Sequence, residues 1–246
     1  MGGRIKNMDP INFKLEQVDN SLGTTGKPFS VVGTEVHGVF MILAWTIFAG
    51  ISLFTARNGK SVFTSEKYMQ KQSWFLIHVG MNMCIFIFTL IATLVIFAAR
   101  DWKWIVNERP AGSNNSTHAI LGITVVSLLG VNFILGFTRP DKQAKFRPLW
   151  EIMHSIVGNG ASGIGVAAIV MGLNLFRGFK TPGIDVGMTW PAILVIVIKA
   201  IEFCFDLVCG YIRVKKIDSN LPKILWYVNL ISAVCMGIAV IVGVFY

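Results

Sequence analysis

Charge is scarce in this chain. Only 14% of its 246 residues are Asp, Glu, Lys or Arg, 54% are hydrophobic, and the mean hydropathy is +0.63. A soluble domain carries about a quarter of its residues as charges, so a water-soluble globular fold is excluded. Cysteine is rare too: Cys84, Cys204, Cys209 and Cys235 all fall inside apolar runs and none lies in a connecting segment. That placement excludes a disulfide framework in the loops and suits thiols that pack as small apolar groups. Residues 1–35 lack the apolar core of a signal peptide; they read as a polar leader, a linker or the remnant of a larger parent. Histidine occurs four times, at positions 37, 78, 118 and 154.

What the chain has in quantity is long apolar sequence. Six stretches reach the roughly 20 residues that a helix needs to cross a bilayer core: 36–56, 74–99, 118–138, 150–176, 189–211 and 224–246. The first, second, third and sixth contain no charged residue at all. The fold class is therefore all-α: a polytopic membrane protein of six transmembrane helices forming one unit over 36–246. Four histidine-bearing helices make its core and two lie at the periphery.

The net charge of +9 concentrates in the first, third and fifth connections. By the positive-inside rule these are cytoplasmic, and both termini face the other side of the membrane. The basic balance thus sets topology and does not mark a nucleic-acid surface. Local signals refine the limits. Asn58-Gly59 is expected to break the first helix, Ser73 to cap the second, and Arg139-Pro140 to stop the third. The fourth begins around Pro148 or Trp150 and carries Gly158, Gly160, Gly163 and Gly165, which let backbones or a flat ligand approach. Asn114 and Asn115 head two overlapping glycosylation sequons on the non-cytoplasmic side, close to a helix start. Trp45, Trp74, Trp150 and Trp190 read as packing or interfacial residues.

The histidines follow one another at intervals of 41, 40 and 36 residues, each at the beginning of its own run. Successive spans alternate in direction, so His37 and His118 lie toward the non-cytoplasmic face and His78 and His154 toward the cytoplasmic face. At 1.5 Å per residue the two levels stand roughly 20 Å apart. A single four-histidine metal site needs its ligands around one point, so two two-histidine sites are expected. A single intramembrane histidine is commonly a helix–helix hydrogen bonder or part of a proton path. Four at matched depths on consecutive helices instead suit the axial positions of two haem irons. Gly38, Gly80, Gly122 and Gly158 provide room for the macrocycle. Lys71 and Arg147 each precede a cytoplasmic-side histidine by seven residues, on the same helix face, and are candidates to hold propionates. Lys199, Glu202 and Asp206, spaced by three and four, are read as an internally paired set.

Several motifs resemble the cytochrome b561 and ferric-reductase transmembrane family. They are His37-Gly38 with Met41, Ala44-Trp45 and Ala56-Arg57; Trp74-Phe75 with His78; His118 with Leu121-Gly122 and Arg139-Pro140; and Arg147-Pro148-Leu149-Trp150 with His154 and Gly158. The order is most similar to the DOMON-associated ferric-chelate reductase branch, although no DOMON or reelin-like sequence stands before the bundle and Thr46 occupies a position where a small residue is common. The resemblance implies two b haems, with His37 paired to His118 and His78 to His154. It also implies electron transfer from a cytoplasmic anionic reductant such as ascorbate to a ferric chelate, monodehydroascorbate or another one-electron acceptor. Arg57 and Lys60 are candidate substrate-binding residues on the donor side, and no side chain is assigned a catalytic role of its own. The partners expected are thus this reductant, this acceptor and the lipid bilayer, with a homodimer left open. Two other readings stand beside this one: a proton or ion transporter using Lys199, Glu202 and Asp206, and a non-catalytic membrane scaffold or receptor.

Overall fold

A computed structural model describes residues 29–64, 66–107, 113–175, 190–217 and 220–245. The first 28 residues of the expected tail, and Arg177 and Lys180 of the fourth connection, lie outside the described residues. Six long helices follow in order: α1 (Phe29–Val62), α2 (Ser73–Ala98), α3 (Asn114–Phe137), α4 (Arg147–Leu175), α5 (Trp190–Val214) and α6 (Leu221–Phe245). All but α5 are long and apolar enough to span a membrane; α5 has the length but carries Lys199, Glu202, Asp206 and Arg213.

Two sequence expectations about α1 fail. The helix begins at Phe29, seven residues before Val36, and it runs through Asn58-Gly59 to Val62. Tertiary contacts explain the second failure. Asn58 is buried and its amide is held from both sides, Nδ2 donating to Asp206 Oδ1 at 2.7 Å and Oδ1 accepting from Arg213 Nη2 at 2.7 Å. Gly59 lies where a Cβ would stand 2.6 Å from that of Trp74. The glycine permits a close helix–helix contact here and does not end the helix.

Ser73 opens α2 without capping it. Gln72 holds the cap position, its side chain accepting from Trp74 Nε1 at 3.2 Å and capping no backbone N–H, while Ser73 N and Oγ both donate to Glu66 O, at 3.1 and 3.0 Å. Those bonds close a small antiparallel hairpin, β1 (Lys67–Tyr68) with β2 (Lys71–Gln72). Its turn residues Met69 and Gln70 both have positive φ, as a tight primed turn requires. At α3 the cap is Ser113, whose side chain accepts from Ser116 N at 3.3 Å. The sequon asparagines therefore lie in the first turn of a helix.

α1 is the centre of the bundle. Over its most apolar stretch 61% of residues are buried, against 11% for α3. It packs along α2, α5 and α6, while α3 packs along α4, and α4 and α6 each pack on α5. Contacts from the α1–α2 pair to the α3–α4 pair are sparse, leaving a slot between them. A cluster of Trp45, Ile85, Val125, Leu129, Ala161 and Ile169 fills the middle of that slot. Side-chain bonds fasten the peripheral helices to α1: Trp226 Nε1 of α6 donates to Thr55 Oγ1 at 2.9 Å, and Lys199 Nζ of α5 reaches Thr46 O at 3.5 Å. Thr46 lies in a π-helical turn of α1, Leu43–Phe48, a feature that recurs at functional sites.

Candidate cofactor sites

The slot contains two cavities, one on each side of the central plug. The first, about 330 Å³, holds His37 of α1 and His118 of α3; the second, about 210 Å³, holds His78 of α2 and His154 of α4. The histidines face one another in these pairs. Ring centres are 6.2 Å apart for His37 and His118 and 6.3 Å for His78 and His154, with the ring planes at 86° in both. Imidazole nitrogens bind first-row metals at about 2 Å and lie roughly 1.1 Å from their ring centres, so two rings on opposite sides of one metal stand about 6.2 Å apart. The observed spacing matches that requirement at both levels.

Hydrogen bonds set the tautomers. His37 Nδ1 lies 3.0 Å from Ala92 O, and His118 Nδ1 2.9 Å from Ala168 O. A carbonyl can only accept, so Nδ1 carries the proton and the Nε2 lone pair is free to bind a metal. His78 Nδ1 is 3.0 Å from Ser52 Oγ and 3.3 Å from Ser52 O, and Asn82 Nδ2 donates to the same hydroxyl at 2.7 Å. His154 is held differently: its Nδ1 is buried with no hydrogen bond, and the Trp150 ring stacks on it at 5.1 Å and 10°. Arg147 in turn lies over Trp150 at 5.2 Å.

The cavities differ in character. Apolar side chains dominate the first, and Arg100 and Lys103 stand in its wall. Ser52, Asn82, Asn132, Asn159 and Arg57 make the second the more polar of the two. Of the glycines expected to make room, Gly38 and Gly122 line the first cavity and Gly158 the second, whereas Gly80 lines neither. Lys71 lies exposed in the hairpin, and buried Arg147 bonds Glu151 Oε1 at 2.8 Å and Pro140 O; neither lines a cavity. Arg57 does, but it is ion-paired to Asp206 and bonded to Asn159 Oδ1. Lys60 sits over the Trp74 ring at 5.3 Å. Charge spacing therefore misplaced Asp206: Lys199 and Glu202 pair within α5 at 2.7 Å, but Asp206 reaches across to α1. Arg100 and Lys103 escaped the sequence reading because they follow α2 and precede no histidine at helical spacing.

A helical membrane bundle with paired histidines at two depths defines the class of this protein. The chain belongs to the eukaryotic cytochrome b561 family, whose profile matches residues 36–179, and membership implies haem b. It is 28% identical over 180 residues to ferric-chelate reductase 1 of Homo sapiens, which covers 73% of this chain and 28% of that protein. It is also 28% identical to a putative ferric-chelate reductase 1 of Danio rerio, over 85% of this chain and 35% of that one. A cytochrome b561 and DOMON domain-containing protein of Arabidopsis thaliana matches at 28% over 70% of this chain and 40% of that protein. The chain thus spans about a quarter to two fifths of the length of these relatives. No solved structure matches it.

Proposed function

We propose that this chain carries electrons across a membrane through two bis-histidine b haems, one held by His37 and His118 and the other by His78 and His154. The observation that carries this reading is the 6.2–6.3 Å ring separation at both levels, together with the Nδ1–carbonyl bonds that leave Nε2 of His37 and His118 free to bind a metal. Haem held between these histidine pairs would supply reversible one-electron exchange. The protein's own part is to fix the imidazoles, exclude water from the slot and set the charge around it. Backbone carbonyls anchor His37 and His118, while Ser52 and Asn82 anchor His78.

Charge counting puts the His78/His154 cavity toward the cytoplasm. Arg57 in its wall and Lys60 and Arg139 nearby favour an anionic donor, for which ascorbate is the candidate the family suggests. On the far side Arg100 and Lys103 at the His37/His118 cavity favour an anionic acceptor, and the names of the relatives point to a ferric chelate. The test is spectroscopic. Purified protein is expected to show a reduced b-type spectrum with two haems per chain, and ascorbate should reduce both. His78→Ala should remove one haem; retention of two haems with ascorbate reduction intact would sink the assignment.

A further inference from the structure

Trp45 is the one described residue that lines both cavities. It lies eight residues from His37 and seven from Ser52, the residue that holds His78, which places it about 10–12 Å along the helix axis from either level. Trp45 is buried, 4% exposed, and its ring is fixed from two sides. Nε1 donates to Thr89 Oγ1 of α2 at 3.1 Å. On α4, the ring occupies the space that Gly165 leaves open, where a Cβ would stand 2.7 Å from Trp45 Cε3. The indole thus crosses the slot from the α1–α2 pair to the α3–α4 pair, between the two histidine levels. It does so within the π turn Leu43–Phe48, where Lys199 reaches the carbonyl of the adjacent Thr46 at 3.5 Å.

Packing alone does not demand this choice. A plug that only filled the slot would be served by Leu or Ile, like its neighbours Leu129 and Ile85, and a buried indole N–H needs a partner that an aliphatic side chain would not. We infer that Trp45 is the positioning residue for electron transfer between the two sites, its conjugated ring coupling one cavity to the other. The step it serves is the passage of one electron: the giving site is oxidised by one electron, the accepting site is reduced by one, and no bond or proton changes place. Trp45 itself ends the step unchanged. The inference rests on the two-haem reading above.

The test uses the haem-loaded full chain in detergent or nanodiscs, with Trp45→Phe, Trp45→Leu and Trp45→Met. Three quantities are read for each: haem content, the two midpoint potentials, and the rate at which an electron injected by a light-triggered reductant equilibrates between the haems. Trp45→Phe should stay within about threefold of the wild type. Trp45→Leu and Trp45→Met should slow equilibration by about tenfold or more at unchanged haem content and potentials. A wild-type rate in either aliphatic variant with both haems bound overturns the inference. So does loss of haem from both aliphatic variants while Trp45→Phe keeps two, since Trp45 would then serve haem seating. If the wild-type chain itself binds no haem, the reading beneath the inference fails instead, and the first measurement separates the two failures.

Discussion

Gly172→Ala should weaken one haem site and spare the other. On α4 the Cβ of an alanine at this position would stand 2.9 Å from His118 Cε1 and 3.4 Å from its Nδ1, where ordinary contact begins near 3.4 Å. The ring must therefore retreat by about half an ångström, away from α4 and from the Ala168 carbonyl that it bonds at 2.9 Å. Both consequences act against metal binding. The ring separation departs from the value that one metal requires, and the bond that fixes tautomer and orientation weakens. Losing such an orienting partner costs about 10–100-fold in metal affinity, or roughly 1.4–2.7 kcal/mol. The assay is a haem titration of the apoprotein, followed by a redox titration of the loaded form. One site should weaken by that factor with its midpoint potential moved, while the other keeps wild-type affinity. Gly160→Ala is the control, because a Cβ there meets no atom within 4 Å and alanine only improves helix propensity. Wild-type haem affinity at both sites of Gly172→Ala would refute the reasoning.

Three further outcomes follow from the geometry. Ser52→Ala removes the hydroxyl beside His78 Nδ1 and should weaken haem at the His78/His154 site by about tenfold without touching the other, read by the same titration. Asp206→Asn breaks the pair with Arg57; because that arginine side chain is 43% exposed, the loss should be about 1 kcal/mol or less, a small fall in thermal midpoint. The freed guanidinium should at the same time lower the KM for an anionic reductant, and an unchanged KM would remove Arg57 from the donor site. Thr55→Val orphans the buried Trp226 N–H and should cost about 1–3 kcal/mol in thermal or denaturant unfolding, with haem content unchanged.

The number and order of the helices were legible because apolar length records membrane-spanning segments directly. The histidine pairs were legible for the same reason: alternation of direction brings position 37 to the level of 118 and 78 to that of 154. Helix ends were read less well wherever a tertiary contact outweighed a local signal. Asn58-Gly59 carries the marks of a break, yet Asp206 and Arg213 satisfy the asparagine amide and Trp74 claims the space above the glycine. Intrahelical spacing paired Lys199 with Glu202 correctly but could not see that Asp206 faces Arg57 across 149 residues of sequence. The seven-residue rule that selected Lys71 and Arg147 identifies a helix face and says nothing of which face borders a cavity.

The two helices without histidine find their use in what they do to α1. A helix that bears His37 at one level, the anchor of His78 near the other and an indole between them must hold its rotation about its own axis at three depths. Packing against α2 alone would fix one side of it. α6 adds the buried Trp226–Thr55 bond, and α5 adds two polar contacts at different depths, Lys199 on the Thr46 carbonyl and Asp206 on Arg57 and Asn58. Each contact lies within six residues of Trp45 or Ser52. Polar groups are costly in the interior of a bilayer, and pairing Lys199 with Glu202, both largely buried, offsets that cost. Lys199 and Asp206 on α5 thus have a structural use in holding α1.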